Sequence, residues 1–230
     1  MASFAKISAK DQVLDAGCGI GGSSIFLAKE IGCTVVGITL SEAQVKSAQN
    51  NARKNQVSEL VSFQKEDYRA TSFPDASFDV IWALESAVYD PQKSDFLKEA
   101  ARLLKPGGRL IMGEYLKQEV KMSKKEEAIF TKWLHSWAMT DLSTLSLIKE
   151  KLEKHGFQDC QFDNISANIK KASWRMYYGS YFLGFLSGLY RIYNPQVSHF
   201  ADNHYKGLRY QYPALKRKLW TYHLIALVKR

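Results

Sequence analysis

The sequence predicts an α/β fold built around a doubly wound, mostly parallel sheet. Two observations lead to this prediction: short strand-like runs alternate with helix-like segments over the first half of the chain, and a glycine-rich turn follows the first run. The chain has 230 residues, which is enough for one such domain with an additional region and for a core that needs no disulfide bonds.

The elements of the first half follow one another as strands and helices of ordinary length. The strand-like runs are QVLDA, TVVGITL, LVSFQKED, FDVIWAL and RLIMGEYL, and the helix-like segments are SSIFLAKEIG, SEAQVKSAQNNARKN and FLKEAARLLK. Turn residues mark the boundaries: Gly32 ends the first helix, FPDAS at 73–77 precedes a buried strand, and PGG at 106–108 ends the helix before RLIMGEYL.

The pattern changes after Leu116. The sequence then predicts helices over about 123–138 and 142–155, a strand at FQDCQFDNIS, a long aromatic helix over about 173–193, and a final strand at YHLIALV. We therefore divide the chain into three parts: a core of residues 1–122, a region of helices and late sheet elements at residues 123–219, and the last strand of the core sheet within residues 220–230.

The positive charge is concentrated in the last part of the chain. The net charge is +9, and residues 164–230 hold eleven Lys and Arg against one acid, Asp202, together with 14 of the 29 aromatic residues. The rest of the chain is almost neutral. Lys216, Arg217 and Lys218 suggest attraction of an anionic acceptor or peripheral contact with a membrane surface, and a solvated face is the alternative.

Cysteine usage and the start of the chain predict a cytoplasmic protein. The three cysteines show no C-x-x-C spacing, and no signal-peptide pattern follows Met1. The uncharged run at 176–190 has fifteen residues with three glycines, so we expect it not to span a membrane. We also expect no metal cofactor.

The glycine-rich turn raises the question of which cofactor it holds. Gly17, Gly19 and Gly22 have the G-x-G-x-x-G spacing of a dinucleotide site. However, Asp15 lies inside the preceding strand, and GITLS provides no acid at the end of the second strand to hold a ribose. A carboxylate at Asp15 suits a cationic amine, such as the amine of S-adenosylmethionine (SAM).

Four motifs occur in the order found in one known family. VLDAGCGIGGSS, EDY at 66–68, SFDVIWALES and LKPGGRLIMGEY together resemble the class I SAM-dependent methyltransferases, from about Val13 to Leu116. GITLSEAQ and WALES further resemble the branch with tocopherol and sterol methyltransferases, cyclopropane fatty-acid synthases and natural-product O-methyltransferases. The resemblance implies a Rossmann-like sheet of seven strands with a helical cap inserted before the last strand, a SAM-binding core in residues 1–122, and a substrate region in residues 123–219.

The resemblance also implies a set of cofactor-binding residues. These are Asp15, Gly17 and Gly19 at the methionine part, Thr39, Leu40 and Gln44 at the ribose, Asp67 and Tyr68 at the adenine, and the Leu84 carbonyl at the amine. Structural alternatives exist for two of them: Ser41 and Gln44 match a helix capping box, and Asp67 can cap a turn.

Catalytic and substrate residues are predicted from position and chemistry. We rank His135 and Glu85 first as catalytic groups and add Tyr89; a packing histidine and an orienting carboxylate are the alternatives. Aromatic residues of the later helices are predicted to line the acceptor site or, alternatively, to pack the cap: Trp133, Trp137, Trp174, Tyr177, Tyr178 and Tyr181.

The resulting functional hypothesis is methyl transfer from SAM, with S-adenosylhomocysteine as product, to an O, N or C atom of a small lipophilic or amphipathic acceptor. An RNA or DNA methyltransferase is an alternative based on the basic C-terminal region, although the [DN]-P-P-[FYW] motif is missing and the rings do not suggest base stacking. A SAM-binding interaction subunit without catalytic activity is the other alternative.

Overall fold

A computed structural model of the chain describes residues 1–193 and 199–230, and the side chains of residues 1–185 and 206–230. Within these ranges the strands are β1 Gln12–Ala16, β2 Thr34–Thr39, β3 Val61–Lys65, β4 Phe78–Leu84, β5 Leu104–Lys117, β6 Phe157–Asn164 and β7 Trp220–Lys229. The helices are α1 Gly22–Ile31, α2 Glu42–Lys54, α3 Ser94–Leu103, α4 Lys124–Ser136, α5 Leu145–Lys154, α6 Ser166–Tyr193 and α7 His199–Lys216.

The seven strands form one sheet in the order β3-β2-β1-β4-β5-β7-β6. The pairs β1–β2, β2–β3, β1–β4 and β4–β5 are parallel, so the carboxyl ends of these five strands lie at one edge. Between β3 and β4 the chain returns past β1, and a crevice for ligands is expected where the strand order reverses. The mostly parallel seven-stranded sheet confirms the predicted fold class.

Local sequence explains where the first helices begin and end. The residues of β1 from Val13 to Ala16 are all buried, because helices cover both faces of a parallel sheet. Helix α1 ends at Gly32, which adopts a left-handed conformation (φ 81°) and donates its N–H to the carbonyl of Ala28. Helix α2 begins after Ser41, whose hydroxyl accepts the N–H of Gln44. The predicted end of the first helix is thus confirmed.

Packing divides the chain into two units. The first unit comprises Met1–Glu114, Ser146–Asp163 and His223–Arg230, and the second comprises Tyr115–Leu145 and Asn164–Tyr222. The first unit therefore contains α5 and β6, which the sequence-based division grouped with the helical region.

The core of the second unit is aromatic. Trp133 is completely buried, with its ring 4.8 Å from that of Trp220, and Tyr115 packs edge-on against both rings and against Tyr222. Helix α4 begins with a complete capping box between Ser123 and Glu126.

The sequence analysis missed one helix of the second unit. Helix α7 contains Pro213, a residue that removes a backbone donor and usually interrupts a helix, so no helix is predicted there from propensity. Among the residues that the structure describes, none of the helices is both long enough and apolar enough to cross a membrane.

Candidate active site

The glycine loop after β1 is held against the end of β2. The N–H groups of Gly17 and Cys18 both donate to the carbonyl of Ile38, at 3.0 and 2.9 Å. Gly17 and Gly19 have φ values of 93° and 54°, a region that side chains disfavour. A Cβ on Gly17 would lie 2.3 Å from the Cβ of Ser86, whereas a Cβ on Gly19 would meet nothing within 4 Å. Gly17 thus permits close packing, and Gly19 borders open space.

Asp15 is buried beneath this loop and is 2 % exposed. Its carboxylate accepts the hydroxyl of Ser24 at 2.6 Å and the Ser24 backbone N–H, which ties α1 to β1. Burial raises the pKa of Asp15 to about 6, and the hydrogen bonds from Ser24 act in the opposite direction. The contact of Asp15 with a cofactor amine stays a prediction.

The predicted ribose residues lie together at the end of β2. The hydroxyl of Thr39 donates to the side-chain oxygen of Gln44 at 2.6 Å, and the Gln44 N–H donates to Ser41 at 3.3 Å. The N-cap alternative is therefore present at the backbone, but the Gln44 side chain bonds Thr39 instead of closing a capping box. Leu40 is 61 % exposed beside them. Their contact with a ribose stays a prediction.

The predicted adenine residues follow β3. The carboxylate of Asp67 accepts hydrogen bonds from the Arg69 guanidinium, the shortest at 2.7 Å, and these hydrogen bonds hold its pKa below the usual value. The Arg69 backbone N–H also donates to Asp67 at 2.9 Å, so the turn-capping alternative is present. Tyr68 donates its hydroxyl to the Ser86 carbonyl at 3.2 Å. The role of Asp67 at an adenine stays a prediction.

The segment after β4 carries two of the predicted catalytic residues. Glu85 has φ 54°, a strained conformation for a residue with a side chain, and its N–H donates to the Gly113 carbonyl at 2.9 Å. Burial and the charge of Glu85 raise the pKa of Tyr89, so the two side chains lie close enough to interact. The hydroxyl of Ser86 is buried and has no hydrogen-bond partner among the described residues.

Apolar side chains at the strand ends are exposed around the glycine loop. Four of them are Ile20, Leu40 and Tyr89, on the segments that follow β1, β2 and β4, and Leu84, the last residue of β4; they are 56, 61, 52 and 37 % exposed. Soluble proteins rarely leave a contiguous group of apolar side chains uncovered unless something binds there. These side chains and the open space beside Gly19 lie where ligands bind in doubly wound sheets, at the carboxyl ends of the strands.

The structure adds a pair of charged residues that sequence reasoning did not combine. The ammonium of Lys93 lies 3.3 Å from the carboxylate of Glu114, with side chains 2 and 0 % exposed. Glu114 lies in the apolar run RLIMGEYL, where it is the one acid. Lys93 carried no such signal, because a lysine in the turn YDPQKS is expected to face water.

The remaining predicted residues lie in the second unit. His135 is exposed on α4, Trp133 is buried on another side of that helix, and the Trp137 ring packs against Gly207 of α7. On α6, Trp174, Tyr178 and Tyr181 are 47, 56 and 49 % exposed, and Tyr177 is half-buried. The catalytic role of His135 and the substrate roles of these rings stay predictions. Among the described residues, no group of three or more His, Cys, Asp and Glu is arranged to hold a metal ion.

A glycine loop after the first strand of a mostly parallel seven-stranded sheet is the arrangement that the resemblance to class I SAM-dependent methyltransferases predicts, and comparisons with known proteins agree with it. Residues 13–108 match the model of a family described as a methyltransferase domain. The predicted family resemblance is confirmed.

Two relatives and one solved structure illustrate the similarity. The 2-methyl-6-phytyl-1,4-hydroquinone methyltransferase of Synechocystis is 38 % identical over 152 residues, which cover 65 % of this chain and 47 % of the relative. Tocopherol O-methyltransferase of Arabidopsis thaliana is 35 % identical over 168 residues, which cover 69 % of this chain and 47 % of the relative. The solved structure is the geranyl diphosphate C-methyltransferase of Streptomyces coelicolor, in complex with Mg²⁺, geranyl diphosphate and S-adenosylhomocysteine. It superposes with a TM-score of 0.75 at 19 % identity, and the superposition covers 100 % of this chain and 79 % of that chain. This chain therefore spans about half the length of the two relatives.

Proposed function

We propose that the protein transfers a methyl group from SAM to an O, N or C atom of a small lipophilic acceptor. The observation that carries this proposal is the open space beside Gly19, on the loop after β1, together with exposed apolar side chains at the carboxyl ends of β1, β2 and β4. The relatives' names support the acceptor class, because they specify a phytyl hydroquinone and a tocopherol.

The residues at these strand ends fit the chemical groups of SAM. Helix α1 begins at Gly22 without a side-chain cap from Gly21, and the Ser24 N–H donates to Asp15, so the N–H groups of Gly22 and Ser23 are the ones that can bind a carboxylate. The buried Ser86 hydroxyl lacks a partner among the described residues and lies next to the loop, where it can bind a polar group of the ligand. Gln44 is the proposed contact for the ribose. The ionised Asp67 can accept a hydrogen bond from an adenine amino group in addition to those from Arg69.

The residues of this chain orient the acceptor and take up the proton that it releases. SAM supplies a methyl group on a cationic sulfonium, and transfer to the acceptor is an in-line displacement. We assign Glu85 as the carboxylate that receives a proton from an oxygen or nitrogen acceptor, with Tyr89 beside it. His135 is a second candidate base. The half-buried rings of Trp137 and Tyr177 are the proposed apolar contacts for the acceptor, and Trp133 packs in the core of the second unit.

The test compares two glycine variants that strain the backbone alike. Gly19 and Gly107 both have positive φ, 54° and 73°, and a Cβ on either would meet nothing within 4 Å. We therefore expect Gly19→Ala and Gly107→Ala each to lower the unfolding free energy by about 1–2 kcal/mol. Only Gly19→Ala should also weaken SAM binding in calorimetry, by tenfold or more, because its methyl group occupies the ligand space.

Turnover is measured with methyl-labelled SAM on prenylated hydroquinones, sterols and, as a competing class, RNA and DNA. Labelled small lipophilic product is the expected result. Binding of NAD without binding of SAM would contradict the cofactor. Labelling of nucleic acid alone would contradict the acceptor class, and tight SAM binding without any product would favour the interaction-subunit alternative.

A further inference from the structure

Helix α6 exposes a row of aromatic rings along one side. Trp174, Tyr178, Tyr181, Phe182 and Phe185 follow one another at helical spacings of i, i+4, i+7, i+8 and i+11, and are 47, 56, 49, 65 and 65 % exposed. We call these five residues the aromatic face. Such spacing places all five rings on one side of the helix, so they form a continuous surface rather than scattered contacts.

The opposite pattern holds on the side of α6 that packs inward. Ser173 and Ser180 are 2 and 0 % exposed, and the Ser180 carbonyl accepts a hydrogen bond at 3.1 Å from the Arg209 guanidinium of α7. A helix in water normally buries its large apolar residues and exposes its small polar ones. Helix α6 does the reverse over this stretch, which is the arrangement expected when the outer side contacts an apolar phase.

Positive charge surrounds the aromatic face. Lys170 and Lys171, one turn before Trp174, and Arg175 are exposed. A cavity of about 390 Å³ beside the helix is lined by Tyr178, Lys216 and Arg217, among others. Asp202 is the only acid in the sequence from residue 164 to the C-terminus. A partner for this surface must therefore combine apolar material with negative charge.

The length of the aromatic face favours a position at the interface of a bilayer over one across it. From Trp174 to Phe185 the helix advances about 17 Å at 1.5 Å per residue. The hydrocarbon core of a bilayer is about 30 Å thick, so this stretch is too short to cross it. Trp and Tyr are enriched where headgroups meet acyl chains, and exposed lysines nearby attract anionic lipids.

We propose that the aromatic face binds the surface of a membrane containing anionic phospholipid, with its rings at the boundary of headgroups and acyl chains and with Lys170, Lys171 and Arg175 near the phosphates. The helix lies along the surface and does not span it. This inference does not depend on the proposed methyl transfer, since it concerns adsorption of the second unit and is measured without SAM or acceptor.

The test is co-sedimentation of the full chain with large vesicles of phosphatidylcholine alone or with one third phosphatidylglycerol. We expect binding to the anionic vesicles that weakens as salt is raised, and much weaker binding to the neutral ones. Phe182→Ser/Phe185→Ser should reduce binding tenfold or more, and Lys170→Gln/Lys171→Gln by roughly tenfold. Phe26→Ser on α1 and Lys46→Gln/Lys54→Gln on α2 are matched controls at exposed positions and should bind like the unchanged protein.

Near-ultraviolet circular dichroism and urea unfolding establish that each variant is folded. Vesicle binding that is unaffected by the Phe182→Ser/Phe185→Ser change would overturn the proposal. So would release of all bound protein by glycerol phosphate at constant ionic strength, because the cations would then form a site for free phosphate. Light scattering provides the last criterion: a dimer abolished by the same two substitutions, without vesicle binding, would show that the face binds a second copy of the chain.

Discussion

Lys93 and Glu114 form a buried ion pair at the carboxyl ends of the sheet, with 3.3 Å between the ammonium nitrogen and the nearer carboxylate oxygen. The Lys93 ammonium also donates to the Ala87 carbonyl at 2.6 Å, so it links β5 to the segment that carries Glu85 and Tyr89. Burial raises the pKa of Glu114, and the charge of Lys93 acts against this rise. The pair therefore holds the segment in place through charges that water does not screen.

Removing one partner of this pair should destabilise the protein strongly. Lys93→Met leaves the Glu114 carboxylate buried without its counter-charge, and we expect a loss of about 3–5 kcal/mol in urea unfolding at pH 7. Lys93→Met/Glu114→Gln should regain a large part of that loss, because no unpaired charge remains. A single variant as stable as the unchanged protein would show that the pair has no such role.

The Asp15 carboxyl should make stability depend on pH. Burial raises its pKa from the ordinary value of 3.8 to about 6, so the folded state binds more protons between these values, and stability falls as pH rises through this window. The difference corresponds to about 3 kcal/mol at pH 7.

Asp15→Asn removes the ionisation and should stabilise the SAM-free protein at pH 7 by up to this amount, with the difference from the unchanged protein vanishing below about pH 4. SAM binding should weaken in the same variant if the carboxylate faces the cofactor amine. Unfolding curves from pH 4 to 8 provide the measurement. An Asn variant that is less stable across the whole range would contradict the pKa assignment.

A single and a double variant test the close contact between Gly17 and Ser86. Gly17→Ala brings a methyl group to 2.3 Å from the Ser86 Cβ, so we expect a loss of several kcal/mol in unfolding free energy. Gly17→Ala/Ser86→Gly removes the collision and should recover stability to within the strain of the positive φ, about 1–2 kcal/mol. No recovery in the double variant would place the cost elsewhere in the loop.

Glu85 should affect turnover more than cofactor binding. Glu85→Gln keeps the size of the side chain and removes the carboxylate, and we expect methyl transfer to an oxygen or nitrogen acceptor to fall by roughly 10²–10⁴. SAM affinity should change by less than threefold, as calorimetry can show. Tyr89→Phe and His135→Ala are the comparison variants. Equal losses of SAM affinity and turnover in Glu85→Gln would identify an orienting carboxylate.

The amino-acid sequence by itself determined the elements that depend on neighbouring residues. QVLDA and FDVIWAL coincide with β1 and β4, because short apolar runs bounded by turn residues specify buried strands locally. The glycine spacing at residues 17 and 19 likewise specified the turn after β1, because left-handed backbone there requires residues without Cβ. The order of these elements was sufficient for the fold class, and the four sequence motifs carried the family resemblance.

The tertiary structure alone decided which side chains meet and which face of a helix is covered. The pairing of Lys93 with Glu114 joins residues on separate elements, and no local pattern encodes it. The orientation of α6 was equally open, because aromatic, serine and glycine residues occur around the whole helix and periodicity does not distinguish its two sides. Over the described side chains, Ser173 and Ser180 pack inward and the five rings of the aromatic face point outward, since burial depends on the surface that the rest of the chain presents and not on the hydrophobicity of the helix alone.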